Sequence, residues 1–339
     1  VCYPLHAMTR LTTGPIKANS ILNGEGGITV KAKPKNRQFG SALIGLFTIV
    51  VMSGLLAING EANAHEHHMD DADSVGKKLA NPLSDIWGLN FNSFLPQFFQ
   101  GDVNKGDPKL GAQTIFQPLL PIPLTGEGAD EFRMILRPVV PLVWGNPQPD
   151  GYDQFNYNSG LGDIQLPLVF SVPASKAGKW ILGAGPVFEF PTATDDDLGN
   201  DQWSAGPALV GGYKGEHLTS VLFFNYFWKI GESGQDDDTQ DINKGTLLYS
   251  FQYALADGWQ IGTNPTISYN HQASSGNKWN VPIGAFVGRT VKYGKMPVNF
   301  KLGVEYSAIA PDDFGQEAAI RLQITPIIPG LIQKPLFGK

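Results

Sequence analysis

Apolar and polar residues alternate one by one in twelve separate stretches of this chain, and a period of two puts the two sets on opposite faces of an extended strand. Between Glu131 and Trp144, one face carries Phe132, Met134, Leu136, Pro138, Val140, Leu142 and Trp144. The other carries Glu131, Arg133, Ile135, Arg137, Val139, Pro141 and Val143. From Val298 to Ser307, Val298, Phe300, Leu302, Val304 and Tyr306 oppose Asn299, Lys301, Gly303, Glu305 and Ser307. The segments lie at about 87–99, 111–124, 131–144, 162–173, 179–191, 203–213, 216–229, 245–256, 258–270, 279–291, 297–308 and 317–326. Composition agrees: 40 glycines and 25 prolines suit turns, 11% aromatic residues suit strands, and 17% charged residues is below the roughly 25% of an average soluble domain.

The connections alternate between long loops rich in Asp, Asn and Gly and tight turns. A soluble sandwich or lipocalin-like barrel would show the same alternation, with its apolar face in the core. The loop rhythm, an export signal ahead of the alternating region and aromatics near strand ends (Trp144, Trp180, Trp228, Trp259, Tyr269, Trp279, Tyr306) favour a membrane. The expected fold is therefore all-β: a transmembrane antiparallel up-and-down β-barrel of about 12 strands. Prolines recur in mid-strand, at Pro118, Pro121, Pro138, Pro141, Pro167, Pro186, Pro207, Pro265 and Pro282, so bulges or broken ladders are expected there.

Ahead of the alternating region, residues 1–36 read as an upstream extension. Residues 37–64 read as a signal peptide: an apolar run from Phe39 to Ile58 behind a basic stretch, then Ala62-Asn63-Ala64, with an uncleaved anchor as the alternative. Residues 65–86 would form an N-terminal periplasmic segment, 87–326 the barrel and 327–339 a C-terminal tail. Setting 1–64 aside removes six basic and two acidic residues and leaves 19 basic and 29 acidic, a net charge of −10. Such a chain is a poor nucleic-acid binder. The lone cysteine, Cys2, provides neither a disulfide framework nor a thiolate metal site.

Several blocks resemble a known family: ANPLSDIWGLNFNSF (80–94), NSGLGDIQLPLVF (158–170), GPVFEFPTATDDDLGNDQWSAGPALV (185–210), YALADGWQIGTNPTISYN (253–270), GNKWNVPIGAFVGRTVKYGKMPVNFKLGVEYS (276–307) and RLQITPIIP (321–329). They are similar to the Gram-negative outer-membrane family described as putative meta-pathway of phenol degradation. The resemblance implies a barrel of about twelve strands that passes small molecules, with outer-membrane lipid, lipopolysaccharide and the barrel-assembly machinery as its surroundings. Members usually end with an aromatic soon after the last strand; here ITPIIPGLIQKPLFGK continues, and Phe337 is third from last.

With the apolar faces toward lipid, Glu131, Arg133, Arg137, Asp163, Gln165, Glu189, Lys301, Glu305, Glu317 and Arg321 line the lumen. They either pair and brace the wall or form a charge ladder that screens permeants. Asp195-Asp196-Asp197 and Asp236-Asp237-Asp238 fall in two long loops and have the carboxylates a divalent cation wants, although solvated loop acids are the simpler reading. His65 and His67, at the start of the processed chain, suit a terminal copper or nickel site. No resident cofactor is expected beyond such a loop-bound cation. Gly183 and Gly185 begin a G-x-G without the third glycine or following lysine of a nucleotide loop. His217 and His271 lack the serine context of a hydrolase, so no enzyme is expected. The chain reads as an outer-membrane channel for small, aromatic or hydrophobic molecules, with a non-transporting structural or surface-binding barrel as the alternative.

Overall fold

A computed structural model describes residues 70–104, 106–233, 240–294, 296–332 and 334–337. Residues 1–69 lie outside it, and with them the upstream extension, the signal peptide, His65 and His67. Seventeen antiparallel strands form a single closed sheet. They group into twelve staves, five of them broken once. β1 (Trp87–Gly88) and β2 (Phe91–Gln100) make the first stave, β3 (Lys109–Phe116) and β4 (Leu120–Thr125) the second, β5 (Phe132–Leu136) and β6 (Val140–Pro149) the third, and β7 (Phe155–Leu161) and β8 (Ile164–Ser171) the fourth. β9 (Trp180–Phe190), β10 (Gln202–Lys214), β11 (Leu218–Glu232) and β12 (Asn243–Ala254) follow unbroken. β13 (Trp259–Thr263) and β14 (Thr266–Asn270) share the ninth stave, and β15 (Trp279–Tyr293), β16 (Met296–Ile309) and β17 (Gly315–Ile328) complete the wall. β17 pairs back onto β1 and β2, so the barrel closes. The twelve-strand up-and-down expectation holds.

Proline accounts for three of the five breaks. Pro118, Pro138 and Pro265 each fall in the gap of their stave, where the ring removes the amide the ladder would need. Pro282 instead coincides with a register shift. The breaks in the second and third staves face one another. β3 pairs with β6 as far as Phe116↔Val140, and β4 pairs with β5 from Leu120↔Leu136. Between these points the backbone bonds turn away to the outer neighbours: Gln117 N–H donates to Asn90 O (2.8 Å), Leu119 N–H to Gly88 O (2.8 Å), and Val139 N–H to Gln165 O (2.7 Å). Residues 117–119 and 137–139 thus face each other across a seam with no backbone ladder.

The outer surface is apolar where membrane is required. Trp180, Leu182, Leu209, Leu222, Ile283, Leu302 and Leu322 are all exposed, a belt that water would penalise and lipid accepts. Aromatics ring both rims. Trp180 meets Tyr213 (5.5 Å between centroids) and His217 stacks on Tyr253 (5.7 Å) at the turn end; Phe190–Trp203 (5.5 Å) and Tyr269–Trp279 (4.5 Å) lie at the loop end.

Two sequence expectations change, and the segment ahead of the first stave gains a place. Residues 145–161 do not form one long loop: Asn146–Pro149 pair with Asn158–Phe155 and extend the third and fourth staves. A hairpin standing in water tolerates polar residues on both faces, so alternation fades while pairing continues. At the turn end, residues 172–179 hold a short helix, α2 (Ala174–Ala177), which lengthens that turn. The segment read as periplasmic, 65–86, includes helix α1 (Asp70–Ala80), which touches the inward sides of β11, β12, β13, β15 and β16 and so plugs the turn end. Leu83 follows it into an interior cluster with Ile135, Val169, Ile181, Val187, Val221, Phe223 and Phe227. Burying Leu83 stabilises the plug by about 2 kcal/mol. Gly183 leaves the room: a Cβ there would stand 2.8 Å from Val169 Cγ1 and 2.9 Å from Leu83 Cδ1.

The tail also has a place. Leu336 N–H donates to Pro123 O (3.1 Å) and Phe337 N–H to Leu124 O (2.8 Å), covering the edge of β4 that the two-residue β1 leaves open.

Candidate functional site

Above α1 lies a cavity of about 190 Å³ inside the barrel. Leu79, Ala80 and Pro82 of the plug segment form its floor. Its wall is divided. Ile115, Leu119, Val139, Val221, Phe223 and Leu248 are apolar, whereas Asn92, Gln113, Thr246, Ser250, Gln252, Ser268 and Gln323 present amides and hydroxyls. The seam opens onto the same space, because Gln117, Leu119, Arg137 and Val139 all line it.

The charges sort into pairs and exceptions. Near the turn end, Arg133 is paired with Glu131. Glu189 is 2% exposed and accepts from Lys244 Nζ (2.9 Å), Gln165 Nε2 (3.0 Å) and Ser204 Oγ (3.1 Å). Arg321 is paired with Glu305 and also donates to Asn92 Oδ1 (3.2 Å) and Asn264 O (3.1 Å). Arg137 and Lys301 are different. The Arg137 guanidinium donates to Gln117 Oε1 (3.2 Å) across the seam and lies 5.4 Å from the Phe223 ring centroid. Lys301 Nζ donates to Gln252 Oε1 (2.9 Å) and lies 4.6 Å from the Phe286 ring centroid. Among the described residues, neither has a carboxylate partner. Arg137, Lys301, Glu305 and Arg321 are the charged residues in the cavity wall, three cations against one anion.

Two residues expected in the lumen sit elsewhere. Asp163 falls in the break between β7 and β8 at the loop end, and its oxygens accept from the amides of Thr192 (3.1 Å), Ala193 (3.2 Å) and Asn200 (2.8 Å). It holds the 191–201 loop rather than facing the cavity. Glu317 occupies a bulge: the register against β2 shifts between Gln316 and Ala318, so Gln316 takes the place on the cavity wall that strict alternation would have given Glu317.

Of the acidic triplets, Asp236, Asp237 and Asp238 lie outside the described residues. Asp195 caps a short turn, its Oδ1 accepting from Asp197 N–H (3.0 Å) and from Asn158 Nδ2 (2.7 Å), while Asp197 Oδ2 accepts from the same amide (2.9 Å). These contacts, with Asp196 between them, dock the loop onto the extended β6–β7 hairpin. Among the described residues, no group of three or more His, Cys, Asp or Glu side chains is placed to hold a metal ion.

Sequence reasoning missed Lys244 and the amide-rich wall. Lys244 is in phase with Thr246, Ser250 and Gln252, but it stands just ahead of the alternation that marks 245–256. The amides are neutral and scattered over most staves, and only closure of the barrel gathers them.

Residues 122–317 match the family model described as "Putative MetA-pathway of phenol degradation". An outer membrane channel from Pseudomonas putida F1 aligns with a TM-score of 0.52 at 14% identity, over 71% of this chain and 93% of that one, which is a likeness of fold. The NanC porin aligns with a TM-score of 0.41 at 10% identity, over 71% and 99% of the two chains. The toluene transporter TodX of P. putida aligns with a TM-score of 0.36 at 10% identity, over 75% and 93%. A search of the curated proteins found no match to the sequence.

Proposed function

The chain belongs to the family described as putative MetA-pathway of phenol degradation, and from that premise we propose that it is an outer-membrane channel passing small, aromatic or otherwise poorly water-soluble molecules. The observation that carries the reading is the seam between the second and third staves opening onto a half-apolar cavity whose turn end is plugged. A straight aqueous pore needs a clear axis, and α1 occupies it. A solute that prefers lipid to water can enter at the loop end, rest against Phe223 and Leu248, and leave sideways between residues 117–119 and 137–139. Pro118 and Pro138 supply no amides there, so opening the seam breaks no ladder bond across it and displaces chiefly the Arg137–Gln117 contact.

The two barrel histidines are placed by aromatic contacts. His217 stacks on Tyr253, and His271 Nδ1 lies 3.2 Å from Tyr269 Oη; both stand at the rims, without a serine hydrogen bond among the described residues.

Uptake of a labelled single-ring hydrocarbon by cells with an intact lipopolysaccharide layer tests the proposal. Faster entry with the protein than with an empty vector supports it. Equal entry, with the barrel shown to be folded by heat-modifiable gel mobility, overturns it in favour of a non-transporting barrel.

A further inference from the structure

A buried charge ordinarily has a counter-charge, because the interior does not repay its lost hydration otherwise. Three of the barrel's inward cations follow that rule: Arg133, Lys244 and Arg321 each meet a carboxylate. Among the described residues, Arg137 and Lys301 meet neutral amide oxygens and aromatic faces and no carboxylate. A guanidinium keeps its charge in any protein setting, and its forked donors match a carboxylate. Both residues line the same cavity, which Phe223 and Leu248 make apolar beside them.

We propose that the lumen cavity binds the carboxylate of a small amphiphilic acid, with Arg137 and Lys301 holding the charged head and Phe223 and Leu248 the apolar body. The inference rests on the channel reading and adds single-ring monoanions to the poorly water-soluble molecules that reading admits. Size supports that limit: a cavity of about 150 Å³ accommodates benzene, and this one is about 190 Å³. The Glu305–Arg321 pair, already neutral, stays as part of the wall. Seated in the cavity, the anion lies beside the Arg137–Gln117 contact, so its arrival competes with that side-chain bond across the seam.

Equilibrium binding to the full-length barrel in detergent tests this without requiring transport. Three probes of similar shape are titrated at low and high salt: benzoate, benzyl alcohol and benzylamine. Benzoate is expected to bind at least about tenfold more tightly than benzyl alcohol, as charge-assisted hydrogen bonds do. Benzylamine is expected to bind worst, and Arg137→Gln and Lys301→Gln are each expected to erase most of the preference for benzoate. Equal affinity of the native barrel for benzoate and benzyl alcohol overturns the inference, whether or not the variants fold. Uptake of hydrocarbon with no preference for benzoate leaves the channel standing and removes this site. Binding of benzoate without uptake of any solute does the reverse.

Discussion

Glu189 concentrates the energetics of the wall at one residue. Its carboxylate is buried and serves Lys244, Gln165 and Ser204 at once, so Glu189→Gln removes the charge that faces a buried ammonium and leaves one acceptor oxygen where three donors had two. Glu189→Gln is expected to destabilise the barrel by about 3 kcal/mol, read from urea unfolding followed by tryptophan fluorescence. Adding Lys244→Met should recover more than half of that loss, because the buried ammonium that faced Glu189 is then gone. Parity alone showed that Glu189 points inward, since it shares its face with Gly183, Gly185 and Val187. Its partner was not legible, because Lys244 stands three staves away and only barrel closure brings them together. The same reason hid the missing counter-charges of Arg137 and Lys301. A sequence shows that a charge faces inward, and the fold decides which others it meets.

At the scale of elements, α1 and the turn after it form a plug whose contacts include buried Ala80 and Leu83 against the barrel, with the partly exposed Lys78–Asp85 ion pair tying the turn to the helix. Gly183→Val pushes a side chain into the space of Leu83 and Val169, so the plug is expected to leave and the single-channel conductance to rise severalfold. Unchanged conductance would show that the plug is held by other contacts. Asp85 gives the same element a pH dependence. Burial pushes its carboxyl up, but the hydrogen bond and charge of Lys78 (3.1 Å), with the charge of Arg133, hold it below the ordinary value. A depressed value means the contribution is present above the unfolded pKa of about 3.9 and is lost as pH falls through the folded one. Protease cleavage within 70–86 should therefore increase below about pH 4. Asp85→Asn should raise cleavage at neutral pH and remove that step. The helix was not legible because DDADSVGKKLA is mostly polar and its few apolar residues make only a narrow stripe. The strands were, because each repeats its period over many residues, except where β6 and β7 run on past the membrane.

For the whole molecule, closure into twelve staves with both ends of the barrel on the turn side followed from counting segments and comparing their connections. What counting could not give was how the wall is broken. The breaks are unevenly placed: the first four staves are each interrupted, the next four are not, and of the last four only the ninth is. Amide hydrogen exchange reads this directly, because an amide exchanges when its own bond opens and a short ladder opens more easily than a long one. Amides in β9 to β12 and β15 to β17 are expected to resist exchange for far longer than those of β3, β4 and β5, with the slowest at Val187, Ala208 and Phe227, buried in the interior cluster. Uniform protection around the wall would contradict this. A cylinder with one stiff arc and one compliant arc does not breathe evenly. It ovalises, and the compliant arc holds the proline-flanked seam, so thermal distortion of the barrel, lateral pressure from the bilayer and a solute pressing outward would all act on the same place.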